Sequence, residues 1–209
     1  MGSVDAATLV ASELGCLRGD RVLFAGLSFQ VQAGEILLIS GANGVGKSSL
    51  MRILCGLLPA DTGEVHWRGR AIDGGRPEYL ADLCYVGHQD GVKRELTARE
   101  NLEVARALQS GDGDPETALL RMGIATLAEV PGYRLSAGQR RRLALARLLV
   151  AQRRLWLLDE PFTALDRPAA HNLVVMLREH ARDGGVAVLT SHQPIDLPEA
   201  KPLVLGAGP

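Results

Sequence analysis

The chain has 209 residues, 46% of them hydrophobic, and its 23 basic against 24 acidic side chains leave a net charge of -1. That length supports one substantial core, so a single domain over residues 1–209 is expected. The near-zero balance excludes a global electrostatic attraction to nucleic acid or anionic lipid, and no nucleic-acid partner is expected. Three widely spaced cysteines, Cys16, Cys55 and Cys84, form no C-x-x-C pair and read as reduced core thiols of a cytosolic protein. Met1–Val10 carries Asp5 and no basic segment, unlike a secretory leader, and Ala6 stands where a myristoylation site needs a hydroxyl. No apolar run approaches the about 18 residues needed to span a bilayer, so a membrane-spanning part would come from other subunits.

In chain order, apolar runs of strand length occur at Leu27–Val31 and Glu35–Ser40, followed by a helical pattern at Lys47–Cys55 and a turn at Pro59–Gly63. A strand at Leu83–Val86 precedes helical patterns at Thr97–Leu108 and Pro115–Met122, which the turn-rich Gly111–Pro115 separates. A helix at Gly138–Ala151, a strand at Leu155–Leu158, a helix at Pro168–Arg182 and a strand at Val186–Thr190 complete the series. Alternating strands and helices, with the later strands apolar on both faces, predict an α/β fold around a parallel sheet. The span 97–151 is helical almost throughout and reads as a subdomain inserted into the sheet domain.

After the strand Glu35–Ser40, the run Gly41-Ala42-Asn43-Gly44-Val45-Gly46-Lys47-Ser48 leads into a helix, the context that a phosphate-binding loop requires. Its glycines let successive N–H groups face an anion, and the helix start adds partial positive charge. Lys47 is expected to reach the β- and γ-phosphates and Ser48 to offer its hydroxyl to Mg²⁺. Leu155–Leu158 ends abruptly in Asp159 and Glu160, where strand ends of an open parallel sheet line the ligand crevice. Asp159 is thereby placed for the magnesium shell and Glu160 for polarising a water, the alternative being a solvated turn. Val186–Thr190 likewise ends in Ser191-His192-Gln193, and His192 is either a surface or cap residue or a γ-phosphate contact. His171 and His180 fall on an amphipathic pattern and read as exposed, and no haem-attachment or zinc pattern is present.

Gly41–Ser48, Gln89, Leu135-Ser136-Ala137-Gly138-Gln139, Leu155–Glu160, Ala164-Leu165-Asp166 and His192 occur in the order seen in ABC-transporter ATP-binding subunits, which this chain resembles over nearly its whole length. The resemblance implies a P-loop NTPase cassette with a mainly parallel sheet core, an N-terminal antiparallel β subdomain and an inserted helical subdomain. It implies ATP and Mg²⁺ as cofactors, with nucleotide contacts from Gly41, Asn43, Gly44, Val45, Gly46, Lys47, Ser48 and Ser49. It further implies a head-to-tail sandwich with a second copy, in which Ser136 and Gly138 meet the partner's γ-phosphate, and it adds Gln139 and Asp166 to the nucleotide-binding residues. Ser48, Gln89 and Asp159 would hold the metal, and Glu160, His192 and Gln89 would carry catalysis. Arg140, Arg141 and Arg142, in the first turn of the helix Gly138–Ala151, oppose its dipole, so either a nearby anion or, more simply, solvation compensates.

Gly87-His88-Gln89-Asp90-Gly91-Val92-Lys93, with Glu95-Leu96-Thr97 and Glu100-Asn101-Leu102, is similar to the ATP-binding subunits of the haem exporter complex of bacterial cytochrome c maturation. That similarity implies integral membrane subunits of that complex as partners and a peripheral place on the cytoplasmic face of the inner membrane. It leaves open whether haem is transported or a haem-loaded chaperone is released, and a generic loop capped by His88 remains the other account of Gly87-His88. Other functions left open are a lipid or drug exporter and a soluble ATP-driven switch on ribosomes or DNA. In one departure from the family, Arg18 takes the place of the aromatic that stacks on adenine, a role a guanidinium plane can also fill.

Overall fold

The computed structural model describes residues 8–72 and 76–206. The absence of a leader and of a myristoylation signal was read mainly from Met1 to Ala6, outside the described residues. β1 (Thr8–Arg18) and β2 (Arg21–Gln32) form an antiparallel pair, and β3 (Ile36–Ser40) leads into α1 (Lys47–Leu54). β4 (Thr62–Trp67), β5 (Arg70–Ala71), α2 (Pro77–Asp82) and β6 (Leu83–Val86) follow. Next come three helices, α3 (Ala98–Leu108), α4 (Pro115–Arg121) and α5 (Ala137–Ala151). β7 (Leu155–Leu158), α6 (Arg167–Arg182), β8 (Val186–Thr190) and β9 (Lys201–Val204) close the described chain. Two sheets result: a five-stranded parallel one in the order β6-β7-β8-β3-β9 and a four-stranded antiparallel one in the order β2-β1-β4-β5.

The parallel sheet is covered on both faces, as its apolar runs require. Leu155, Leu157, Val186 and Val188 point into the cluster that α1 and the antiparallel sheet build, with Leu50, Met51, Leu9 and Trp67. Trp156, Leu158, Ala187 and Leu189, one residue on, point into the opposite cluster, where α3, α4, α5 and α6 contribute Leu102, Leu119, Leu145 and Leu173. This period of two on buried strands follows from the pleat. The second cluster runs without interruption from α3 and α4 through α5 to the sheet.

Local chemistry fixes the helix starts. Thr97 and Glu100 form a reciprocal capping box on α3, Asp114 caps α4 ahead of Pro115, and Asp166 caps α6 ahead of Pro168.

Several readings need correction. Leu27–Val31 is only the later part of a longer β2, and the Pro59–Gly63 turn runs into β4 at Thr62. β1 bulges between Ala11 and Cys16, which breaks the alternation that would have revealed it. β9 contains Pro202 and is mostly exposed, as suits an edge strand. His180 is not an ordinary surface residue: its ring stacks on Trp156 at a centroid distance of 3.8 Å. Burial there pushes its pKa down to about 4, so the imidazole is neutral at pH 7. Cys16, Cys55 and Cys84 are buried free thiols, and burial pushes Cys84 up to about 11.

Candidate nucleotide site

The loop between β3 and α1 takes a path that only glycine allows at its ends. Gly41 has φ 146° and Gly46 φ 109°. A Cβ on Gly41 would lie 2.6 Å from the Leu205 carbonyl oxygen, and one on Gly46 would lie 3.2 Å from the Phe24 ring. The loop is thus seated between the end of β9 and the antiparallel sheet. α1 begins with no side-chain cap and no acid in its first turn, leaving its first N–H groups and positive dipole end for an anion. Lys47 Nζ donates to the Gly41 and Ala42 carbonyls at 2.8 and 3.2 Å and lies 3.8 Å from Glu160 Oε1.

Asp159 and Glu160 leave β7 at the same end of the sheet. Asp159 is 2% exposed, and its Oδ1 accepts from Thr190 Oγ1 at 2.8 Å. The same hydroxyl accepts from the Glu160 N–H at 2.8 Å, so Thr190, the last residue of β8, ties the two acids together. Glu160 has φ 51°, a left-handed conformation that turns its side chain out of the strand line. Glu160 Oε2 lies 2.8 Å from His192 Nδ1 and accepts from the His192 N–H at 3.3 Å. The two carboxylates occupy different settings: Asp159 is held inward, whereas Glu160, 13% exposed, faces the lysine.

A cavity of about 450 Å³ lies between these parts, lined by Asn43, Gly44, Gly46, Lys47, Ser48, Ser49, Glu160 and His192 together with Leu23, His88 and Thr163. It gathers most of the phosphate-loop residues and two of the three expected catalytic ones. Gly41 and Val45 support the loop from behind, and neither they nor Asp159 line the cavity. Gln89 is exposed outside the lining, and its neighbour His88 lines it instead. Arg18 is not brought to this cavity: it sits at the exposed end of β1 with Nη1 donating to the Leu17 carbonyl at 2.8 Å. Leu23 is the side chain of the antiparallel sheet that reaches the cavity. A second cavity of about 460 Å³ opens at the opposite sheet end, beside Arg153, Trp156 and His180, and contains none of the expected site residues.

Leu135–Gln139 stands apart from the cavity. Ser136 is the exposed N-cap of α5, accepting from the Gln139 N–H at 3.2 Å while its own N–H donates to Gln139 Oε1 at 2.8 Å. A Cβ on Gly138 would lie 2.9 Å from the Ala164 carbonyl oxygen, so glycine is required within the chain itself. Asp166 is occupied at both oxygens, capping α6 at the Ala169 N–H and pairing with Arg142 at 2.9 Å.

Solvation does not compensate the three arginines. Arg140 pairs with Asp90 at 3.1 Å, Arg142 pairs with Asp166, and Arg141, 5% exposed, donates to backbone carbonyls. Burial lowers the Arg141 pKa, and Asp159 opposes that shift. The sequence offered Arg141 only as one of three cations opposing the dipole of α5 and Thr190 only as the end of a strand, and gave neither a role at the site. A third cation in a helix's first turn was the available signal for Arg141, and a hydroxyl at the end of a buried strand was the signal for Thr190.

A glycine-rich loop before an uncapped helix, facing two acids at the end of another parallel strand of the same sheet, defines a P-loop nucleoside triphosphatase. The family model described as ABC transporter matches residues 24–163. The chain is 54% identical over 190 residues to the cytochrome c biogenesis ATP-binding export protein CcmA of Nitrosococcus oceani, covering 91% of this chain and 88% of that one. It is 45% identical over 196 residues to the protein of the same name from Escherichia coli K12, covering 92% and 93%. A solved ATP-binding subunit of an ABC transporter superposes with a TM-score of 0.83 at 22% identity, over 94% of this chain and 85% of that one, a likeness of fold. The chain belongs to the ABC transporter family, as an ATP-binding and ATP-hydrolysing cassette, and within it to the cytochrome c biogenesis ATP-binding export proteins. Subunits of this kind work with membrane partners, and among the described residues no helix is long and apolar enough to cross a membrane.

Proposed function

We propose that this chain powers the haem-handling complex of cytochrome c biogenesis by closing on ATP as a head-to-tail pair and reopening after hydrolysis. The observation that carries the reading is the cavity in which Lys47, Ser48, Glu160 and His192 converge below the start of α1. Arriving phosphates offer Lys47 stronger acceptors than the Gly41 and Ala42 carbonyls it now holds. Glu160 then accepts a proton from the water that attacks the γ-phosphorus, as the bond from that phosphorus to the ADP oxygen breaks. His192 orients the Glu160 carboxylate through their 2.8 Å contact. The hydroxyl of Ser48 in the cavity lining and the carboxylate of Asp159 behind it are hard oxygen donors that would hold Mg²⁺, Gln89 would join them from outside the lining, and the ion would supply charge neutralisation at the phosphates.

The exposed cap of α5 supports the sandwich arrangement, because Ser136 and Ala137 lie at the surface of their own chain at a helix N-terminus. We assign the second copy's nucleotide to that surface and the integral membrane subunits to the loop 87–93, on the cytoplasmic face of the inner membrane. The chain acts as one domain, with 97–151 as its helical insert. The cargo is haem, either transported or released with its chaperone. Glu160→Gln should lower ATP turnover about a hundredfold or more while nucleotide affinity stays within about twofold. Turnover equal to the parent's would remove Glu160 from the role of base.

A further inference from the structure

We propose that Arg141 is a positioning residue that passes displacement of the loop 87–91 to the backbone of Glu160. Its guanidinium reaches four main-chain carbonyls: Pro161 from Nε at 3.2 Å, Gly87 from Nη1 at 2.8 Å, and Asp159 and Glu160 from Nη2 at 2.9 and 2.8 Å. Every acceptor is backbone, so the contact fixes the chain path and not any one side chain. That path includes Glu160 at φ 51°, a left-handed conformation that persists only where its surroundings over-determine it.

α5 also grips the loop at Asp90, through Arg140 Nε to Oδ2 at 3.1 Å and Arg147 Nη2 to the carbonyl at 2.8 Å. Of these three arginines, Arg141 is the one that spans both sides, holding the loop's first residue and the acid pair with one rigid plane. His88 and Gln89 are exposed in that loop, so a partner seated there pulls on the Gly87 carbonyl. Through Arg141 that pull rotates the Glu160 peptide, and the carboxylate swings toward or away from the attacking water. A lysine cannot replace this action, because an ammonium lacks the planar fork that spans separate acceptors.

The inference rests on the proposed ATPase reading, and the test separates the two. The complex is isolated from membranes with its co-purifying subunits, and turnover and ATP affinity are measured for the parent, Arg141→Lys, Asp90→Ala and the double variant. Arg141→Lys should lower kcat tenfold or more with ATP affinity within about twofold of the parent. Asp90→Ala should lower kcat in the parent background and change it by less than twofold in the Arg141→Lys background, since coupled residues are not additive. Unchanged kcat in Arg141→Lys, a parallel loss of affinity and turnover, or additive effects of the two substitutions would each overturn the inference. An inactive parent would overturn the ATPase reading and this inference with it. If Arg141→Lys does not assemble, amide exchange across 159–163 in the parent decides: it should change when the membrane subunits are removed, and unchanged exchange rejects the link.

Discussion

The phosphate loop and the start of α5 both enter a helix through a small N-cap residue, Gly46 and Ser136, yet their hydrogen bonds are arranged in opposite ways. α1 has no side-chain cap, and its loop closes a cavity with Glu160 and His192 from the same chain. α5 is capped by a reciprocal Ser136–Gln139 box, and its exposed start lines no cavity with the acids of its own chain. The contrast teaches that exposure of a helix start is not enough to identify a ligand site. The phosphate loop is legible within one molecule, whereas a ligand for Leu135–Gln139 enters only through the second copy proposed above.

The contrast can be broken first at the phosphate loop. Lys47→Ala should weaken ATP binding about a hundredfold, the effect of removing charge-assisted hydrogen bonds to phosphate. Calorimetric titration showing parental affinity would mean that the loop does not hold the triphosphate. The opposite end of the sheet provides a control outside both regions. His180 is neutral because burial pushes its pKa from 6.5 to about 4. A depressed pKa leaves its contribution complete above pH 6.5 and removes it as the pH falls through about 4, a loss of about 3 kcal/mol. In urea melts, His180→Phe should flatten the pH dependence in that window and leave turnover at pH 7 within about twofold; an unchanged slope would assign the proton uptake elsewhere. The smallest effect belongs to the α5 cap. Ser136→Ala should cost about 1 kcal/mol, seen as a melting shift of roughly 2–4 °C. A shift near zero would show that the capping box contributes nothing and that the serine is free for other contacts.

Much of this arrangement could be read from the chain. β6, β7 and β8 match the expected runs residue for residue, because strands buried on both faces are short, continuous and apolar. Gly41–Ser48 was legible for a different reason: its function is a backbone path, and glycines record that path locally. β1 and β9 were not legible, since a bulge interrupts the alternation of the first and proline with exposure masks the second. Arg141 and Thr190 lie furthest from sequence reasoning. Their importance comes from carbonyls and acids 18 to 54 positions away in the chain, a relation that no local pattern encodes. Arg18, expected from the resemblance to stack on adenine, lies at the exposed end of β1 and outside the cavity lining.

The division of labour between a self-contained phosphate loop and an outward-facing α5 is tested most directly by the mass of the chain in solution. Glu160→Gln with Mg-ATP, followed by light scattering on a sizing column, should run as a dimer, and adding Ser136→Arg should return it to monomer while ATP affinity of the single chain is retained. A dimer that survives Ser136→Arg would contradict the account, because the surface proposed to complete the partner's site would not lie at the interface.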